Sequence, residues 1–274
     1  MLMDRLSMAG KAVIVTGAGR GLGKGMALAL ADAGADVVCA ARTRDQIDET
    51  ADEIRARGRR ALSIVTDVTD AKQVDALVQQ TLTQWGALHV LIASAGAAAA
   101  TALKDLTDIS DADWRATIDA NLSAAFFTAR AVVPHFRERG GGVIINVAAN
   151  AGMRGDPRLL AYGAAKAGVV NLTRALASQL ATDNVRVNCI VPGFVLTQTP
   201  HDAEEINVAR NRGRFIPAAR LGEPWEVGPL ALYLASDASS YVTGETFVID
   251  GGTLAGGLAP VGWDVTAAGA GAQP

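Results

Sequence analysis

The sequence predicts an α/β fold: one domain built on a doubly wound parallel sheet of about seven strands, with helices on both faces. Three observations carry that expectation. Short β-rich runs alternate with longer stretches of helical spacing, the βαβα order that produces right-handed crossovers. Several runs are continuously apolar, as parallel strands covered on both faces require. Finally, the 274 residues contain no internal repeat and no linker long enough to divide them, and one core can serve a chain of that length.

In chain order, the runs that read as strands are Ala12–Val15, Val37–Cys39, Leu62–Val65, Val90–Ile92, Val143–Ile145, Val185–Val187 and Phe247–Ile249. Between them lie Leu22–Ala33, Asp45–Ala56, Ala71–Trp85, Asp111–Arg139, Tyr162–Thr182 and Pro224–Ser236. These carry apolar residues at helical spacing and are rich in Ala, Leu, Gln and Arg. The domain is expected to occupy residues 1–252. Residues 253–274 form a Gly- and Ala-rich, nearly chargeless segment that reads as a mobile or subunit-crossing tail.

Composition narrows the function classes. A net charge of −3 offers no basic footprint for nucleic acid, and 50% hydrophobic residues exclude disorder of the body. Cys39 and Cys189 each sit inside an apolar run, which fits a reducing compartment better than a disulfide scaffold. The longest apolar stretch, Val90 to Leu103, is too short to span a bilayer and is broken by Ser94, Gly96 and Thr101. The N-terminus lacks a signal-peptide layout, so a cytoplasmic protein is expected. His89, His135 and His201 show no metal-ligand spacing. His201 could reach a substrate from its loop, or be a solvated loop histidine. Trp114 and Trp225 occupy helix-start contexts and read as packing anchors, and Gln198–Arg220 reads as a lid.

The first run opens into Thr16-Gly17-Ala18-Gly19-Arg20-Gly21-Leu22-Gly23 and then a helix. Missing β-carbons let a backbone bend sharply and approach a pyrophosphate, and the helix N-terminus offers free N–H groups to the anion. A ligand-free glycine turn is the plain alternative, but the run, helix and next run stand at βαβ spacing. After the second run, where an acid would accept from an unphosphorylated ribose, the sequence reads Ala40-Ala41-Arg42. With Arg20, Arg42 could clamp a 2′-phosphate, which favours NADP(H) while leaving NAD(H) possible. A solvated helix-cap arginine is the alternative for Arg42.

Tyr162 and Lys166 stand four apart at the start of a strong helical pattern and so project from one face. A free tyrosine, with a pKa of about 10, is a poor base at neutral pH. A nearby cation is expected to stabilise its phenolate and make it a proton donor and acceptor. A surface pair is the alternative. The position of the pair, on the helix after the fifth strand beside the expected crevice, gives it weight.

Taken with Asp67-Val68, Asn121-Leu-Ser-Ala-Ala-Phe, Asn188-Cys-Ile-Val-Pro-Gly-Phe-Val-Leu-Thr197 and Gly244-Glu-Thr-Phe-Val-Ile-Asp-Gly-Gly252, these motifs closely resemble the short-chain dehydrogenase/reductase family up to about Gly252. The resemblance implies a Rossmann-like fold and a nicotinamide cofactor. It implies that Asp67 and Val68 contact the adenine, and that Lys166 also holds the nicotinamide ribose. Asn121 would anchor a water in the proton relay. Ala95, Gly96, Pro192 and Gly193 would adjoin the cofactor, and Val195 and Thr197 would bind its carboxamide. It further implies a small carbonyl or alcohol substrate, with no nucleic-acid or membrane partner. A homo-oligomer, dimer or tetramer, is implied through Asp111–Arg139 and Tyr162–Thr182.

Two departures stand out. The family normally carries a serine thirteen residues before the tyrosine; here that position is Ala149. Loss of one such donor costs on the order of 10²–10³ in rate. A weak enzyme, a non-catalytic relative and an engineered Ser→Ala change all fit. Asn150 is adjacent and polar, but along a strand it would face the other way unless the chain bends. After the fourth strand, Ala93-Ser94-Ala95-Gly96 replaces the usual Asn-Asn-Ala-Gly, which reads as altered support of the sheet. The expected activity interconverts a secondary alcohol and a ketone or aldehyde, with Tyr162 as acid/base. The alternative is a low-turnover dinucleotide-binding sensor or partner protein.

Overall fold

Valine- and isoleucine-rich runs do form the centre of the molecule. A computed structural model describes residues 2–97, 104–197, 211 and 213–256. Its strands are β1 (Ala12–Thr16), β2 (Asp36–Ala41), β3 (Ala61–Val65), β4 (Val90–Ala93), β5 (Gly142–Val147), β6 (Val185–Pro192) and β7 (Thr246–Ile249). They make one seven-stranded sheet in the order β3-β2-β1-β4-β5-β6-β7, and every pairing is parallel. The winding direction reverses between β1 and β4. In such sheets a crevice opens there, at the C-terminal strand ends.

The helices are α1 (Leu2–Arg5), α2 (Gly21–Asp32), α3 (Arg44–Ala56), α4 (Ala71–Trp85), α5 (Asp111–Ile118), α6 (Ala124–Glu138), α7 (Leu160–Leu180), α8 (Pro224–Ala235) and α9 (Thr253–Gly256). Alternate residues of the strands feed two separate cores, because successive side chains leave opposite faces of a sheet. Val13, Val15, Cys39 and Ile92 pack beneath Met26 and Leu30 of α2, Ile54 of α3 and Leu234 of α8. Ile14, Val38, Leu91 and Ile144 pack beneath Leu77 of α4, Phe136 of α6 and Leu180 of α7. Small residues bring the helices close: a β-carbon on Gly228 of α8 would lie 2.5 Å from the Ala29 Cβ of α2. The low aromatic content follows from cores filled this way.

Two expected elements differ. Asp111–Arg139 is not one regular helix, because a π-helical turn, Asp119–Ser123, separates α5 from α6. One extra residue per turn leaves no mark on apolar spacing over so short a stretch, and such insertions are frequent at functional sites. The sixth strand also runs to Pro192, well beyond Val187. Helix ends follow the local chemistry. Asp70 caps α4 by accepting from Lys72 N, Gly86 closes it in the left-handed region, and Ser110 with Asp113 forms a capping box on α5. Of the expected tail, Thr253–Gly256 is helical and the remainder lies outside the described residues.

Candidate active site

The glycine turn connects β1 to α2. Gly17 has φ +70°, and a β-carbon there would crowd the Ala95 backbone at 3.1 Å. Gly21 has φ +54° and would meet the Thr197 side chain at 3.0 Å. Gly23 packs against the Gly17 carbonyl. Arg20, at the N-cap of α2, makes no side-chain capping bond, so the first-turn N–H groups have no side-chain partner there. The positive end of α2 faces the same opening.

Thr16 ties the turn to the loop after β4. Its hydroxyl donates to the Ile92 carbonyl and accepts from the N–H groups of Ser94 (3.1 Å) and Ala95 (3.2 Å). The altered Ala93-Ser94 pair is thus held by backbone groups. On the other side, Asn121 is 1% exposed. Its amide donates to the carbonyls of Ala97 (2.7 Å) and Thr117 (2.9 Å), and its oxygen accepts from Ala97 N (3.2 Å). Both ends of that side chain are occupied by protein, so Asn121 pins the floor of the crevice. A β-carbon on Gly96 would lie 2.6 Å from Asn121 Oδ1 and 3.0 Å from Lys166 Nζ.

The resulting cleft brings together most of the residues singled out from sequence. Gly17, Gly19, Arg20, Gly21, Leu22 and Gly23 line its first wall, Arg42, Asp67 and Val68 one end, and Ala95, Gly96, Tyr162, Lys166 and Thr197 the other. Pro192, Gly193, Val195, Asn121 and Ala149 are not on its described wall. Gly193 donates to the Ile249 carbonyl, and Val195 bridges to Gly222 beside a separate cavity at the start of α8. Sequence reasoning missed Thr43, Gln46, Thr66, Ser94, Val147 and Ala148 on the cleft wall. Thr43, Thr66, Ser94, Val147 and Ala148 lie at or just beyond the C-terminal end of a parallel strand, which was the available signal, whereas Gln46 comes from the first turn of α3.

Lys166 is buried and donates to the Val147 carbonyl at 2.9 Å, and its Nζ lies 5.6 Å from the centre of the Tyr162 ring. Burial pulls its pKa down to about 8, opposed by the nearby Cys189. Burial pushes the Tyr162 phenol up to about 12. This corrects the expectation of a lysine-lowered phenol. Lys166 spends its hydrogen bond on a carbonyl, and desolvation of the phenolate outweighs the cation at that distance. Tyr162 therefore holds its proton firmly at neutral pH.

Ala149 is buried and extended (φ −161°, ψ 160°), two residues past the end of β5, and Asn150–Gly152 form a 3₁₀ turn directly after it. Asn150 is thus not the next residue of a strand. Two histidines have structural posts. His89 Nδ1 accepts from Ala12 N at 3.0 Å, and His135 Nε2 accepts from Leu88 N at 3.1 Å. No cluster of potential metal ligands occurs among the described residues. His201 and most of Gln198–Arg220 lie outside them. Among the described residues no helix is long and apolar enough to cross a membrane.

A family model described as enoyl-(acyl carrier protein) reductase matches residues 17–253. A solved short-chain type dehydrogenase/reductase from Mycobacterium marinum superimposes with a TM-score of 0.85 at 36% identity, covering 93% of this chain and 99% of that one. The chain belongs to the short-chain dehydrogenase/reductase family. It is also 35% identical over 253 residues to the 3-oxoacyl-[acyl-carrier-protein] reductase FabG of Thermotoga maritima, covering 91% of this chain and all (100%) of the relative. Over 259 residues it is 37% identical to the 2-dehydro-3-deoxy-D-gluconate 5-dehydrogenase of Escherichia coli, covering 93% and 100%. As a short-chain dehydrogenase/reductase, the chain is a nicotinamide-dinucleotide-dependent oxidoreductase acting between an alcohol and a carbonyl group.

Proposed function

We propose that this short-chain dehydrogenase/reductase is an NADP(H)-dependent enzyme that reduces a ketone or aldehyde, or oxidises the matching alcohol, with Tyr162 as the acid/base. The observation that carries this reading is the placement of Tyr162 and Lys166 together on the wall of the glycine-turn cleft. The residues present fit a dinucleotide. Gly17 and Gly21 adopt conformations that favour glycine, and α2 presents an N-terminus with no side-chain cap. Charge favours the phosphorylated form. Asp67 is the one acid among the described lining residues, against Arg20, Arg42 and Lys166, and one Asp67 oxygen accepts from Thr69 N and Oγ1.

The bound nicotinamide supplies or accepts the hydride. In the reducing direction Tyr162 donates its phenolic proton to the carbonyl oxygen. Lys166 offsets the charge left on the tyrosine, and Asn121 keeps Gly96 and Lys166 in register. Substrate-dependent NADPH oxidation over a panel of ketones tests the assignment. Turnover lost in Tyr162→Phe with cofactor affinity retained is the expected result, and full activity in that variant overturns it. Ala149 favours a second reading, a dinucleotide-binding protein of low turnover. Cofactor binding without turnover in both the natural chain and Ala149→Ser would select it.

We also infer a homo-oligomer, dimer or tetramer, built across α6 and α7. Phe126 of α6 is 42% exposed under the Arg130 guanidinium, and Leu160 opens α7 at 36%. Sedimentation equilibrium of Phe126→Asp tests this contact.

A further inference from the structure

Two of the three histidines meet at one short junction, and neither lines the cleft. Leu88 and His89 lead into β4. The His89 main chain joins three strands at their N-terminal ends: its N–H donates to the Ala12 carbonyl of β1, and its carbonyl accepts from Val143 N of β5. Its side chain adds a third bond, Nδ1 accepting from Ala12 N at 3.0 Å. One residue earlier, Leu88 donates its N–H to His135 Nε2 of α6 at 3.1 Å.

A ring nitrogen accepts only while it carries no proton. Protonating either imidazole turns that acceptor into a donor facing an N–H. Leu88 and Ala12 are buried, at 0% and 4% exposed, so the orphaned N–H is costly. The surrounding charges oppose protonation as well. Those acting on His89 are all cations: Arg139 at the end of α6, Lys11 beside β1, and His135. Arg139 also acts on His135, against one acid, Glu138. His135 lies in the last turn of α6, where the helix dipole favours a cation. Burial and Arg139 hold its pKa below the ordinary 6.5 all the same. Burial, then the three cations, pulls His89 down to about 4.

We infer that His89 and His135 form an acid-sensitive latch: neutral, they clamp the start of β4 to β1 and to α6, and in mild acid their protonation releases it. The latch sits at the opposite end of the strands from the cleft. β1 and β4 pair from Val13 with Val90 to Thr16 with Ala93, and Thr16 then holds Ser94 and Ala95 of the cleft wall. Release therefore acts on the two strands that carry the cleft without touching its lining. The sign is fixed by the shifts. The unfolded chain takes up each proton at a higher pH than the folded one, so the latch stabilises fully above about 6.5 and is lost as pH falls toward 4. The latch is independent of the chemistry proposed for the cleft.

Urea unfolding of the full chain between pH 7 and 5 tests the latch against a variant that cannot titrate there. In His89→Asn the amide Oδ1 replaces Nδ1 as acceptor, and in His135→Gln the Oε1 replaces Nε2. Carboxylates titrate alike in both chains, so their contribution cancels in the comparison. From pH 6.5 to 5 the unfolding constant of the natural chain is expected to rise on the order of tenfold more than that of the double variant. Over the same range the Ala12 and Leu88 amides should lose protection from hydrogen exchange in the natural chain and keep it in the variant. Equal pH dependence of the two chains overturns the latch. Should the double variant fail to fold, the natural chain decides alone, through exchange of its imidazole C2 hydrogens followed by mass spectrometry. Values below 6.5 at both His89 and His135 support the latch, and a value at or above 6.5 at either one overturns it.

Discussion

The Lys166 ammonium stands 5.6 Å from the Tyr162 ring centre and gives its hydrogen bond to the Val147 carbonyl. The pair is therefore coupled through space and through the end of β5. Burial holds Lys166 near 8 and Tyr162 near 12, so at neutral pH the lysine is charged and the phenol protonated. That is the state required to protonate a carbonyl.

The pH dependence follows in sign. Reduction needs the Lys166 charge, so kcat/KM should be level near neutrality and fall as pH rises through about 8. The folded lysine lies below its unfolded value of 10.5. The unfolded chain therefore binds more protons between those values, and this group's contribution to stability increases with pH there. For Tyr162, raised from 10.0 to about 12, stability is lost as pH climbs through that window. Rate–pH and melting–pH profiles of the natural chain and Lys166→Arg check both limbs. An unshifted basic limb in the arginine variant would show that Lys166 is not its source.

On the proposed reading, Arg20 and Arg42 govern coenzyme choice. A hydrogen bond to a charged group is worth about 1.5–3 kcal/mol, so Arg42→Ala should weaken NADPH by roughly ten- to a hundredfold. NADH binding should barely change. Fluorescence titration with both coenzymes measures the ratio, and an unaltered ratio would remove the charge argument.

Gly96 should not tolerate a methyl group. Its β-carbon would fall 2.6 Å from Asn121 Oδ1 and 3.0 Å from Lys166 Nζ, and overpacking of this kind costs about 1–3 kcal/mol. Gly96→Ala is expected to lower both the melting temperature and kcat. Gly58→Ala makes no contact within 4 Å but sits at φ +74°, so it should affect stability alone.

Phe136 tests the core apart from the cleft. It is fully buried on the α6 face of the sheet, and its truncation to alanine should cost about 3–5 kcal/mol. Denaturant unfolding should report that loss while NADPH affinity stays unchanged.

Much of this architecture was legible because parallel strands covered on both faces are continuously apolar: Ala12–Val15 and Val143–Ile145 needed only their composition. The cleft was legible wherever a motif combined a backbone demand with a side-chain demand, as at Gly17 to Gly23 and at Tyr162 with Lys166. What escaped depended on local geometry. The π turn at Asn121 has no distinct spacing, and the 3₁₀ turn after Ala149 takes Asn150 out of the strand alternation. The balance between charge and burial at Tyr162 depends on how much water the fold removes, which no string of residues states.

The reversal of winding between β1 and β4 divides labour along the sheet. In the function proposed here, coenzyme identity is read by loops after β1, β2 and β3, and proton transfer is mounted after β4 and β5. The turn after β1 is tied to the loop after β4 through Thr16, but the loops after β2 and β3 belong to separate crossovers and can change without disturbing those after β4 and β5. A lineage, or an engineer, could exchange the electron source of this protein and its substrate range in independent steps.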